Sequence, residues 1–160
     1  MQKLIRFLVP AFAGLVSLAL AQTTAPAPAS VAPAVPAAPA VVDASAAIPK
    51  TGNARFFELH EKFLARTKSG PIGVLFMGDS ITEGWTKAPH IWEKYFGKYQ
   101  PANFGIGGDQ TQHVIWRMEN GELDGISPKV MVLMIGTNNS GQHTGEQIAD
   151  ANKKIIDLAR

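Results

Sequence analysis

Two short stretches of the chain are apolar without a polar interruption, residues 72–77 and 130–135. Runs of this length with no alternation predict strands buried on both faces, as in a parallel sheet. A third, shorter strand is predicted over 102–106. Elsewhere apolar positions recur at helical spacing. Phe56, Leu59, His60, Phe63 and Leu64 predict a helix over 54–68, and Ile148, Ile155, Ile156 and Ala159 predict another over 145–159. Helices are also predicted over 90–99 and 111–120. Strand and helix therefore alternate, which implies right-handed crossovers and an α/β fold with a parallel sheet.

Upstream of these elements the pattern changes twice. Lys3 and Arg6 precede an apolar stretch over 7–21, and Ala19-Leu20-Ala21 forms a small-x-small cleavage site, so residues 1–21 read as an export signal peptide. The stretch is shorter than the roughly 20 residues a spanning helix needs and contains Pro10. Residues 23–49 are almost entirely Ala, Pro, Val, Ser and Thr, with Asp43 the one charge. Such a composition predicts a semi-rigid, disordered spacer, giving a linker over 22–49 and a folded part over 50–160. The expected location is secreted or periplasmic in a bacterium, with no stable membrane anchor once the signal is removed.

Charge adds little to this picture. The formal net charge of +2 falls to zero when Lys3 and Arg6 leave with the signal, so the basic pI does not point to nucleic acid. With no cysteine there is no disulfide, thiolate metal site or thiol nucleophile.

Candidate chemistry sits in the loops that follow the three predicted strands. Gly78-Asp79-Ser80 follows the first, Asn103-Phe-Gly-Ile-Gly-Gly-Asp109 spans the second, and Gly136-Thr-Asn-Asn139 follows the third. In a doubly wound sheet all three reach one edge, where such folds build their sites. Ser80 is placed to expose its hydroxyl at that edge. Gly107 and Gly108 allow close backbone approach and positive φ, so the Gly108 amide is a candidate oxyanion donor. Asn138 offers a neutral amide donor suited to the same task. Two rival motifs fail. The third glycine of G-x-G-x-x-G falls on Gln110, and Thr82 ends what would be G-x-S-x-G.

With Asn103-Phe-Gly-Ile-Gly-Gly-Asp and the following Gln112-His-Val-Ile-Trp-Arg-Met-Glu-Asn-Gly-Glu-Leu123, the chain resembles the SGNH or GDSL-type hydrolases. The likeness is in particular to the branch of platelet-activating-factor acetylhydrolase catalytic subunits. That resemblance implies a flavodoxin-like, three-layer α/β/α fold, here C-terminally truncated, with no metal and no cofactor. It also implies Ser80 as nucleophile and an oxyanion hole formed by the amides of Ser80 and Gly108 with the Asn138 side chain. The implied activity is hydrolysis of short acyl esters, acetyl esters foremost, through an acyl-enzyme. Substrates would be small esters of a sugar, lipid or similar alcohol.

The family's Asp-x-x-His block has no counterpart up to Arg160, so the chain is expected to be an incomplete piece without its catalytic histidine. His60, His90 and His113 are expected to be structural or surface residues, and His143 alone lies on a loop at the catalytic edge. Asp79 is expected to brace its loop and Asp109 to cap the next helix. Trp85 is weighed equally as a pocket wall and as packing, while Trp92 and Trp116 are expected in the core. The alternative reading is a non-catalytic carbohydrate- or lipid-binding module that keeps the same fold.

Overall fold

The computed structural model describes residues 42–160. The expected signal peptide, and the part of the expected linker that precedes residue 42, lie outside the described residues. Helix α1 runs Ala54–Lys68, capped by the Asn53 side chain, which accepts the Phe56 amide, and closed by Arg66 and Lys68 in its last turn. Strand β1 spans Val74–Gly78 and leads into a single helical turn, α2, Ser80–Glu83. After a 3-10 turn come α3, Pro89–Phe96, and β2, Pro101–Gly105. Helix α4 spans Thr111–Arg117 and ends in a wider turn interrupted at Gly121, where φ is +102°. Strand β3, Val130–Met134, and helix α5, Gly145–Leu158, complete the order.

The strands are parallel and ordered β2-β1-β3, with Val74 opposite both Pro101 and Val130. Alternation along β1 sorts the side chains into two layers. Leu75 and Met77 share a face with Ala102 and Phe104 and pack with α1, α4 and α5 through Phe56, Phe63, Val114, Ile115, Ala151 and Ile155. On the opposite face Phe76 meets Trp92 and Phe96 of α3. Helices therefore lie on both faces of the sheet, as a three-layer α/β/α arrangement requires. The order reverses at β1, so the carboxyl ends of β1 and β3 flank the switch point where α/β sheets take ligands.

Two expectations need correction. Residues 42–49, assigned to a disordered linker, instead form a strap across the domain. Ala44 is fully buried, its carbonyl accepts the Thr111 hydroxyl at 2.8 Å, and the Ile48 amide donates to the Gln112 carbonyl at 3.2 Å. A Pro- and Ala-rich segment lacks large apolar side chains, but its small residues let its carbonyls approach partners closely, and those carbonyls hold it here. The tryptophans expected in the core, Trp92 and Trp116, are only half-buried and sit in aromatic clusters with Trp85 and Phe96, and with Phe56 and His60.

Candidate active site

Strand β1 ends at Gly78, where a side chain would overlap the Met134 carbonyl and the Thr82 hydroxyl. Asp79 follows as the cap of α2. Its Oδ1 accepts the Ile81 amide at 3.0 Å, and the residue is 2% exposed. Capping turns the chain so that Ser80 emerges at the surface, and its hydroxyl takes no hydrogen bond from the described residues. As the first residue of a helical turn, Ser80 has an amide with no intrahelical acceptor.

The loop after β2 is a tight turn closed by the Asp109 amide on the Ile106 carbonyl at 3.1 Å. Gly107 and Gly108 are its central residues, and Gly108 has φ +72°, the conformation that a type II turn reserves for glycine at its third position. The Gly107 amide donates to Glu83 Oε2 at 2.7 Å, and Glu83 in turn pairs with Arg55. Gly108 is exposed, and its amide has no acceptor among the described contacts.

Asn138 draws the three loops together. Its Nδ2 donates to the Asp109 carbonyl at 2.7 Å and reaches Asp79 Oδ2 at 3.4 Å. One N–H is thus firmly placed and the other only loosely engaged. Gln110 closes the same loops from outside by donating to the Asn138 carbonyl at 2.7 Å. Ser80, Gly108 and Asn138, drawn from three different loops, therefore converge on one edge of the sheet, each exposed.

Several buried polar groups carry this edge, and sequence reasoning missed most of them. Asn139, fully buried, accepts the Thr111 amide at 3.0 Å and donates to the Thr111 hydroxyl and Gln112 Oε1, each at 3.0 Å. Asp109, expected to cap α4, does not do so. The cap is Gln110, in a capping box with His113. Asp109 instead turns inward to Arg117, whose Nε lies 3.1 Å and Nη2 3.0 Å from Oδ2, and to Lys50, whose Nζ lies 2.8 Å from Oδ1. Arg117 continues to Glu122 Oε2 at 2.6 Å, and Glu122 Oε1 meets His60 Nδ1 at 2.8 Å. Burial pushes the Asp109 carboxyl above the usual range, with Arg117 and Lys50 pulling it back. The available signal was Arg117 and Glu122, charged residues that fall at helical spacing from apolar Val114 and Met118.

The histidines resolve differently from one another. His60 is buried against Glu122 and Trp116. His113 accepts the Gln110 amide at 3.0 Å through Nδ1, and burial together with the charges of Lys50 and Arg117 depresses its pKa to about 4. His143 is buried with Nε2 2.6 Å from the Val42 carbonyl and Nδ1 3.4 Å from Asn139, so it is committed to the strap rather than to Ser80. His90 is exposed on α3. Trp85 lines a small cavity of about 150 Å³ with Thr86, Pro89, Trp92 and Asn103. Among the described residues no group of three or more His, Asp and Glu side chains is arranged to hold a metal ion.

Comparison with known proteins identifies the family. The model of the GDSL-like lipase/acylhydrolase family matches residues 76–160. Platelet-activating factor acetylhydrolase IB subunit alpha1 of Bos taurus is 46% identical over 107 residues, 67% of this chain and 45% of that protein. The Homo sapiens alpha1 subunit is 46% identical, with 67% and 46% covered, and the Rattus norvegicus alpha2 subunit 41% identical with the same coverage. The chain thus spans less than half the length of these curated relatives. A solved structure of a Streptococcus pneumonia protein described as a platelet activating factor superposes with TM-score 0.49 at 25% identity, covering 63% of this chain and 46% of that one.

Proposed function

The chain belongs to the GDSL-like lipase/acylhydrolase family, and from that premise we propose that it serves an exported serine esterase that cleaves short acyl esters, acetyl esters foremost. The observation that carries this reading is the placement of Asn138, whose amide nitrogen touches both the loop of the exposed Ser80 and the glycine turn. In this mechanism Ser80 Oγ attacks the ester carbonyl carbon and its proton passes to a general base. Negative charge gathers on the former carbonyl oxygen. The amides of Ser80 and Gly108 and the loosely engaged N–H of Asn138 receive it, and such donors act most strongly on the tetrahedral state. Collapse breaks the bond to the alcohol, which leaves with the proton from the base, and water then hydrolyses the acyl-enzyme by the same steps in reverse.

His60, His113 and His143 are each held by structural partners and His90 stands exposed on α3, so the general base is assigned, on the family resemblance, to the histidine of an Asp-x-x-His block. The preference for acetyl rests on the acetylhydrolase activity for which the relatives are named, and export rests on the pattern over 1–21. The same commitment of the histidines favours a second reading, a receptor that binds esters without cleaving them. Hydrolysis of 4-nitrophenyl acetate by the complete gene product separates the two. The esterase turns over and its Ser80→Ala variant does not, whereas equal rates from both proteins would overturn the assignment of Ser80.

A further inference from the structure

The strap, together with residues 50–53 that join it to α1, lies upstream of the segment 76–160 that matches the family model, yet it reaches two of the three loops that carry the candidate oxyanion donors. The Val42 carbonyl meets His143, the Ala44 carbonyl takes the Thr111 hydroxyl, and Lys50 enters the glycine turn. The Lys50 ammonium donates to the Gly107 carbonyl at 3.0 Å, stands 2.8 Å from Asp109 Oδ1, and lies 5.7 Å from the centre of the Phe56 ring. Its side chain is 17% exposed.

The Gly107 carbonyl belongs to the same peptide unit as the Gly108 amide. Because that unit is planar and trans, its C=O and N–H point in opposite directions, so whatever fixes the carbonyl fixes the amide. This is the central peptide of the turn, the one whose rotation interconverts type I and type II geometry and reverses the direction of the amide. Two glycines leave that rotation sterically open. Lys50 closes it from the carbonyl side, and Glu83 holds the preceding amide at 2.7 Å. A cation on a carbonyl also makes a charge-assisted hydrogen bond and polarises the peptide, which strengthens the N–H at its other end as a donor.

We propose that Lys50 is a positioning residue of the esterase site: it locks and polarises the Gly107–Gly108 peptide so that the Gly108 amide faces the oxyanion, making the strap part of the catalytic apparatus. This rests on the reading of Gly108 as an oxyanion donor. A donor fixed for the transition state affects kcat and leaves ground-state binding nearly unchanged.

The test compares Lys50→Met, Lys50→Gln and Lys50→Arg in the complete gene product with 4-nitrophenyl acetate, alongside the amide ¹⁵N and ¹H signals of Gly108. The expected result is a fall in kcat of about ten- to a hundred-fold for Lys50→Met at nearly constant KM, with partial recovery in Lys50→Arg. The Gly108 signals should move in Lys50→Met more than those of Gly121 or Gly125, which lie in turns that Lys50 does not touch. If Lys50→Met does not fold, Lys50→Gln, which retains a neutral donor for the carbonyl, carries the same comparison with a smaller effect. An unchanged kcat with unmoved Gly108 signals overturns the proposal, as does a rise in KM alone. Should the wild type hydrolyse no ester, the functional reading fails while the Gly108 signals still decide whether Lys50 orients this peptide.

Discussion

Ser80, Gly108 and Asn138 are exposed, and each has a buried polar neighbour in sequence: Asp79 at 2%, Asp109 at 0% and Asn139 at 0% exposure. Ser80 and the Gly108 amide are free to meet a substrate, Asn138 offers one loosely engaged N–H while the other holds the Asp109 carbonyl, and the buried neighbours spend their hydrogen bonds on holding the loops. Adjacent residues should therefore fail differently. Asn138→Ala is expected to lower kcat by about a hundred-fold or more with little change in KM, as loss of an oxyanion donor does, and steady-state kinetics on an acetyl ester read it directly. His113 makes a second case at this scale. Its pKa, lowered to about 4, means that the folded state resists a proton the unfolded chain accepts near 6.5. Its stabilising contribution is complete above the unfolded value and is lost as pH falls toward the folded one. Glutamine at this position would keep the capping-box acceptor without titrating. Between pH 6.5 and 4 wild type should lose stability relative to His113→Gln by about 2 kcal/mol, less than the full shift because the side chain is 13% exposed. Thermal melts across that range supply the comparison, and parallel curves would contradict it.

Elements fix where these residues stand. Strand β2 ends at Gly105 directly beneath α2, and an added Cβ there would overlap the Glu83 backbone nitrogen. Gly105→Ala should therefore destabilise the fold by about 1–3 kcal/mol and displace the turn that carries Ser80, reducing labelling of the serine along with stability. Denaturant unfolding and serine reactivity, measured on the same variant, should fall together. Elements of this kind were legible from the chain because periodicity is local. The helix expected over 54–68 is found as Ala54–Lys68, and the strand expected over 130–135 as Val130–Met134. What stayed hidden is tertiary. Asp109 looks like a helix cap because an acidic residue after a glycine turn commonly is one, and only the fold brings Arg117 and Lys50 within 3.1 Å of it. The strap was misread for a related reason. Composition reports how much apolar area a segment can bury, and residues 42–49 are held mainly by carbonyl hydrogen bonds that composition does not encode.

At the scale of the molecule, the sheet is covered unevenly. Helix α3 shields Phe76 of β1, while on the same face of β3 Val130 is 52%, Val132 41% and Met134 51% exposed. Strand β3 is also an edge of the sheet among the described residues, with backbone groups open to pairing. A polypeptide of residues 42–160 should therefore associate in solution, and Val132→Lys, which places charge on the open edge, should reduce that association. Sedimentation velocity distinguishes the two, and a monomeric wild-type polypeptide would contradict the expectation. The candidate site stands at the carboxyl end of the same sheet. Its loops follow the carboxyl ends of β1, β2 and β3, so the covered part of the sheet sets their spacing.

If this edge makes Ser80 a nucleophile, a fluorophosphonate probe reacts with it covalently. In the complete gene product the account predicts a single covalent adduct, localised by mass spectrometry to the peptide containing Ser80, absent in Ser80→Ala and slowed in Asn138→Ala. A folded protein that remains unlabelled, or one labelled equally after Ser80→Ala, would contradict it.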